Sequence, residues 1–233
     1  MRNFLQYFLI STIIFSCQDS DSNKFNNDEV VDDMASEHIQ NTNKPNTEDH
    51  VSDLESIFNN LETGHEYPFS GFEENDSSFT IETDIGMMKF ISNRDLEEDS
   101  VSFEFHGFNP SNNLYIIERH YWEGHEFILL DRSNQSTIEI WNTPIFTKDN
   151  KKLICKSDKP GYEWTPNGYQ IWQLESNGQW VKTIEVNQND WTPLSIRWVD
   201  NHKLILKKAP LKVYFENPDE IQTHSSYLEI TTN

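Results

Sequence analysis

Apolar residues change their spacing three times along this chain. Residues 4–15 (FLQYFLISTIIF) form one dense apolar run, and the stretch from Gln18 to about His50 is dominated by Asn, Asp, Ser and Glu. Val51, Leu54, Ile57, Phe58 and Leu61 then recur at helical spacing. That spacing predicts an amphipathic helix over 51–62, within a segment closing at residue 63, with Ser52 and Glu55 placed as a capping box. From residue 64 onward the period shortens to two. Alternating runs predict strands at 79–83, 88–91, 101–105, 114–120, 126–130, 137–141, 152–156, 169–174, 180–186, 203–207, 212–215 and 227–231. Asp84-Ile85-Gly86-Met87 joins the first two as a hairpin, and Asn112-Asn113, Ser133-Asn134, Asn177-Gly178 and Asn217-Pro218 punctuate the later gaps. No strand–helix–strand alternation occurs, so residues 64–233 are expected to form an all-β domain, with no parallel nucleotide-binding sheet.

A repeat refines that expectation. Asp149-Asn150-Lys151-Lys152-Leu153-Ile154 returns as Asp200-Asn201-His202-Lys203-Leu204-Ile205, and Asn112-Asn113-Leu114-Tyr115-Ile116 is a weaker copy. A polar turn that tolerates left-handed backbone, feeding an apolar strand every ~40–50 residues, is the period of propeller blades. Pro144-Ile145-Phe146-Thr147-Lys148-Asp149-Asn150-Lys151 resembles the P-V-F-S-P-D-G-K blade turn of TolB-like propellers, departing from it at Lys148 and Asn150. Tyr121-Trp122-Glu123-Gly124, Gly168-Tyr169-Gln170-Ile171-Trp172 and Arg197-Trp198-Val199-Asp200-Asn201 extend the likeness. The stretch 121–208 is similar to a family of secreted bacterial β-propeller-like proteins without assigned activity. The resemblance implies propeller-like blades, partial or about four in number, and adds no chemistry. A β-sandwich is the alternative.

The N-terminus reads as an address. Arg2 precedes the apolar run, which is too short to cross a hydrocarbon core of about 30 Å as a helix. Ile14-Phe15-Ser16-Cys17 resembles the lipobox of bacterial lipoproteins, with Phe15 larger than usual. The resemblance implies a signal peptide over 1–16 and lipidation of Cys17 as the first mature residue. Gln18-Asp19-Ser20-Asp21-Ser22 resembles the lipoprotein export signal of Bacteroidetes. Residues 17–50 are then an acidic tether, whose composition cannot bury enough apolar surface to offset ordering. A flexible chain of that length reaches roughly 30 Å.

Composition sets bounds on partners. The chain has 233 residues, of which 39 are acidic and 18 basic, for a formal net charge of −21. Such a balance repels phosphate and excludes a nucleic-acid partner. A mean hydropathy of −0.73 excludes a multi-span membrane protein. The first 100 residues carry 22 of the acidic side chains and 5 of the basic ones, so solubility explains the charge better than a site does. The acidic runs at 73–76 and 97–99 lack the spacing and glycine of an EF-hand.

Candidate chemistry is sparse. No nucleophile elbow, zinc-protease helix or phosphate-binding loop occurs, so no catalytic residue is assigned and no cofactor is expected. His120 and His125 flank the predicted turn at 121–124 with Glu123 between them, a weak metal candidate that lacks an identifiable third ligand. Trp141, Trp172, Trp180 and Trp198 lie in strand patterns and are expected to fill space between blades. Trp122, Trp164 and Trp191 are expected in turns or loops, where exposed indoles could form a ligand surface. Cys155 is expected to be a buried free thiol. The sequence therefore points to a lipid-anchored outer-membrane protein with a non-catalytic binding or scaffolding domain, its partner an envelope protein or a glycan. A carbohydrate-active hydrolase or a glycan-binding protein is the alternative.

Overall fold

A computed structural model of the chain describes residues 48–61, 72–75, 77–93, 100–122, 124–157, 160 and 166–232. The expected signal peptide, Cys17 and residues 17–47 of the expected tether lie outside the described residues, as do Glu123, Trp164 and the acidic run at 97–99.

Helix α1 (Glu48–Asn60) precedes a succession of antiparallel strands. β1 (Phe72–Asn75), β2 (Ser78–Thr83) and β3 (Gly86–Ile91) form the first sheet. β4 (Val101–Asn109), β5 (Leu114–Tyr121), β6 (His125–Asp131) and β7 (Thr137–Ile140) form the second. β8 (Ile145–Phe146), β9 (Lys152–Lys156), β10 (Gly168–Leu174) and β11 (Trp180–Asn187) form the third. β12 (Trp191–Trp198), β13 (Lys203–Pro210) and β14 (Ser226–Thr231) form the fourth. The protein is all-β in class: each sheet is a meander of consecutive strands, and none of the four closes on itself. Most connections within a sheet are short turns, and a tight connection favours pairing of a strand with its sequence neighbour in antiparallel sense.

Apolar side chains bind the sheets into a series. Phe79, Ile81 and Phe90 of the first sheet meet Tyr115, Ile117, Ile128 and Leu130 of the second. The opposite face of the second sheet presents Leu114, Ile116, Phe127, Leu129 and Ile140 to Phe146, Leu153 and Cys155 of the third. Ile154, Tyr169 and Ile171 of the third then meet Ile196, Leu204, Leu206 and Ile230 of the fourth. Helix α1 closes the series by laying Leu54 and Phe58 over Ile205 and Tyr227 of the fourth sheet. β5 and β9 are therefore covered on both faces, which is why they read as continuous apolar runs (Leu114–Ile117 and Leu153–Cys155).

The repeated turns occupy one structural position. Leu114, Leu153 and Leu204, each at most 2% exposed, stand at the start of the second strand of their sheets, just after the repeated turn. Asn113 and Asn150 have φ of 56°, the left-handed backbone expected of such turns. The Asp149 carboxylate accepts from the Thr147 hydroxyl at 2.7 Å and from the Lys151 amide at 3.1 Å. The Asp200 carboxylate accepts from the amides of His202 (2.7 Å) and Lys203 (2.8 Å). Burial opposes ionisation of Asp149, but these donors outweigh it and hold its pKa below the ordinary aspartate range; Asp200 is lowered too, led by the His202 amide. Adjacent turns also touch: Asn109 Nδ2 donates to Asn150 Oδ1 at 3.3 Å, and the Asp149 amide to Asn201 Oδ1 at 3.4 Å. Buried Lys152 donates to Thr232 Oγ1 at 3.0 Å and lies 3.3 Å from His202 Nδ1, with burial drawing its pKa down.

Several expectations are corrected. α1 begins at Glu48 rather than 51, so the last residues assigned to the tether are helical. The period-two run at 212–215 is not a strand: helix α2 (Leu211–Glu216) and a 3₁₀ turn (Pro218–Glu220) carry the chain across to β14. β13 is a central strand with a neighbour on each side, and Pro210 at its end supplies no ladder donor and stands at the N-cap of the helix, so the ladder stops there. Trp191 opens a strand instead of a loop. Its Thr-Pro sequence reads as a breaker, yet Pro193 lies on the edge strand of the fourth sheet, at a register shift where a missing N–H is tolerated. Gly168 is required by packing, since a Cβ there would sit 1.8 Å from the Val186 carbonyl oxygen.

Phe58→Ala should lower unfolding free energy by about 3 kcal/mol in urea denaturation, because Phe58 is only 3% exposed and the Arg197 guanidinium sits 4.2 Å above its ring. Ile57→Ala, on the open face of the same helix, should change it by less than about 0.5 kcal/mol. Equal losses would mean that the helix does not dock as described. Cys155 is fully buried and its thiol is pushed up to about 11, so in a Cys17→Ser chain at pH 8 a thiol reagent should label it only on denaturation. Prompt stoichiometric labelling of the folded chain would contradict that burial.

Candidate metal centre

β5 runs Leu114, Ile116, Glu118, His120 along one face, because alternate residues share a side of the strand. Leu114 and Ile116 are in the apolar contact with the third sheet. Glu118 and His120 continue the same row past the end of that contact, where the chemistry changes from apolar to ionisable. Register does the rest. On β4, Glu104 is directly opposite Glu118, and on β6, His125 is directly opposite His120. The β4–β5 register slips between Phe105 and Gly107, leaving His106 as the extra residue of a bulge; bulges re-aim side chains in this way.

Glu118 is the centre. Its side chain is 10% exposed, and each of its oxygens has imidazole neighbours. Oε2 lies 2.6 Å from His106 Nε2. Oε1 lies 3.0 Å from His125 Nδ1 and 3.5 Å from His120 Nε2. Glu104, largely in solvent, reaches toward both sides, 4.0 Å from His106 and 3.8 Å from His120. The rings of His106 and His125 rest edge-on to Phe127 at 5.0 and 6.0 Å, so an aromatic floor separates the cluster from the core. The ligand atoms of Glu118, His120 and His125 all lie within 4.8 Å of one another, as do those of Glu104, His106 and Glu118. Nitrogen and carboxylate donors in such a set suit zinc-class divalent cations, whereas calcium and magnesium want oxygen alone.

Of the residues singled out from sequence, the structure brings His120 and His125 together, their ring centroids 6.1 Å apart. The third ligand missing from the sequence reading is Glu118, with His106 and Glu104 behind it. A readable signal exists for them: Glu104-Phe105-His106 and Glu118-Arg119-His120 each place a carboxylate and an imidazole two residues apart, hence on one face of a strand. Their cross-strand pairing is what sequence alone does not show.

The tryptophans separate by environment. Trp141, Trp172 and Trp180 pack against the core between second and third sheets, and Trp198 against the core between third and fourth, donating from Nε1 to the Ile145 carbonyl at 2.8 Å. Trp122 is 63% exposed at the β5–β6 turn beside the cluster. Trp191 is half-buried in the fourth sheet with the Lys208 ammonium 4.9 Å over its ring. Trp122 thus lies at a turn of the second sheet and Trp191 in a strand of the fourth. A separate groove of about 550 Å³ lies between the β6–β7 and β10–β11 turns, lined by Leu114, Asp131, Asn134, Ile138, Gln179 and Trp180 among others. Its carboxylate, Asp131, accepts from the amide and hydroxyl of Ser133 at 2.7 and 2.6 Å.

Trp198→Ala should cost about 3 kcal/mol in guanidinium unfolding, since it removes a wedge between sheets and its hydrogen bond. Trp122→Ala should stay within about 0.5 kcal/mol of the parent. The reverse order would overturn the division between packing and surface indoles. No protein-family model matches the chain, and no curated protein matches it.

Proposed function

We propose that this chain is a lipid-anchored protein of the bacterial cell envelope, whose β domain is a non-catalytic binding or scaffolding module at the outer membrane. Cys17 carries the anchor as a diacylglycerol thioether with an acylated amine, and several chains together give stable attachment where one would not. Residues 17–47 hold the folded body clear of the headgroups. The four meanders are propeller-like blades in this reading. Support comes from their order, each sheet being completed by consecutive strands, whereas a sandwich of Greek-key type exchanges strands between sheets. The touching of equivalent turns, Asn109 to Asn150 and Asp149 to Asn201, also favours blades.

The observation that carries the binding reading is the groove between the second and third sheets. It is broad, it mixes apolar and amide groups, and its carboxylate is held inside its own turn. Such a lining suits recognition of an envelope protein. Glycan recognition is the second reading, favoured by the exposed indole of Trp122. Radiolabelled palmitate should enter the parent chain in bacteria and fail to enter Cys17→Ala. Equal labelling of the two would sink the anchor, and with it the membrane location.

A further inference from the structure

The geometry points to a divalent-cation site of zinc class on the second sheet, with Glu118 Oε1, His120 Nε2 and His125 Nδ1 as ligands and His106 as the group that orients Glu118. Tetrahedral zinc holds its ligand atoms about 2.0–2.2 Å away, and therefore about 3.4 Å from one another. The distances from Glu118 Oε1 to the two imidazole nitrogens, 3.0 and 3.5 Å, bracket that spacing. The third separation, between the two imidazole nitrogens, is within 4.8 Å, so an ion at their centre would draw the rings together by side-chain rotation.

Three features make the cluster more than a set of surface ion pairs. Glu104 and Glu118 face each other directly across β4 and β5, an arrangement of like charges that destabilises a sheet unless a cation lies near. Among the described residues around them, the neighbours on this face are imidazoles and not lysines or arginines: Arg119 points to the other side, where it pairs with Glu126 and, at 2.6 Å, with Glu139. The contact from His106 to the second oxygen of Glu118 fixes the carboxylate's orientation, as outer-shell partners of metal ligands do. Finally, the ligands come from two adjacent strands with Phe127 beneath them, so the backbone sets their separation. Glu104 and solvent lie on the open side, which leaves a coordination position for water or for a group on a partner. The site stands independently of the lipid anchor and of the groove.

The test titrates the full chain, freed of metal by a chelator, with zinc chloride in a calorimeter. Binding of one zinc per chain is expected, with a rise in Tm. His120→Ala and His125→Ala should weaken binding by about 100-fold or more, and His106→Ala by about 10-fold. Cobalt substituted for zinc should give the intense visible absorption of a low-coordinate site in the parent and lose it in His120→Ala. His120 is 39% exposed, so its replacement leaves the fold intact, and an unchanged circular-dichroism spectrum confirms that. His202→Ala and His224→Ala, outside the cluster, should leave binding unchanged. No zinc binding by the parent, or equal affinity in the parent and in His120→Ala and His125→Ala, overturns the assignment.

Discussion

A β-sheet buries one face easily, but the second and third sheets of this protein must bury both. That double burial governs the rest of the described structure. Ile116 and Leu129 serve the contact with the third sheet while Ile117 and Leu130, one residue away, serve the contact with the first. Leu153 and Ile154 divide in the same way between second and fourth neighbours. A one-residue register slip in β5 or β9 would exchange these sets and disturb two contacts at once, so register is specified more strongly there than in a sheet with one wet face. The turns that set register are hydrogen-bonded internally, with Asp149 and Asp200 each gathering donors from the residues that follow.

Burial on both faces must stop somewhere, and the two ends of the series differ. At the fourth sheet, Ile205 and Tyr227 would be exposed without helix α1; the carbonyls of Phe58 in its last turn and of Leu61 just beyond it accept from Arg197 of β12. A cation at a helix C-terminus also interacts favourably with the negative end of the macrodipole. The helix therefore packs as part of the β domain. At the first sheet, Met87 and Ile91 of β3 are more than half exposed.

The same logic locates the histidine–carboxylate cluster. β5 is longer than the apolar contact it serves, so its last residues share a face with the core without belonging to it. Ionisable groups placed there are held by strand geometry yet remain within reach of solvent, a combination that loops rarely provide. Tyr121 at the end of β5 and Trp122 in the turn just beyond are both exposed at that end of the sheet.

Local pattern was enough to establish much of this protein. Period-two alternation located most strands and the Asp-Asn repeat located equivalent turns, because each depends on a residue and its immediate neighbours. Where the pattern failed, a distant partner decided. Trp191-Thr-Pro became a strand because an edge of the fourth sheet tolerates proline, and 211–216 became helical after Pro210 ended the β13 ladder. The cluster divides the same way. His120 and His125 were legible from flanking one turn, whereas His106, Glu104 and the central role of Glu118 arise from pairing between β4 and β5 and from a bulge. Sequence sets what each strand can present on either face; only the tertiary structure decides which faces meet, since that depends on registers fixed by burial across several sheets.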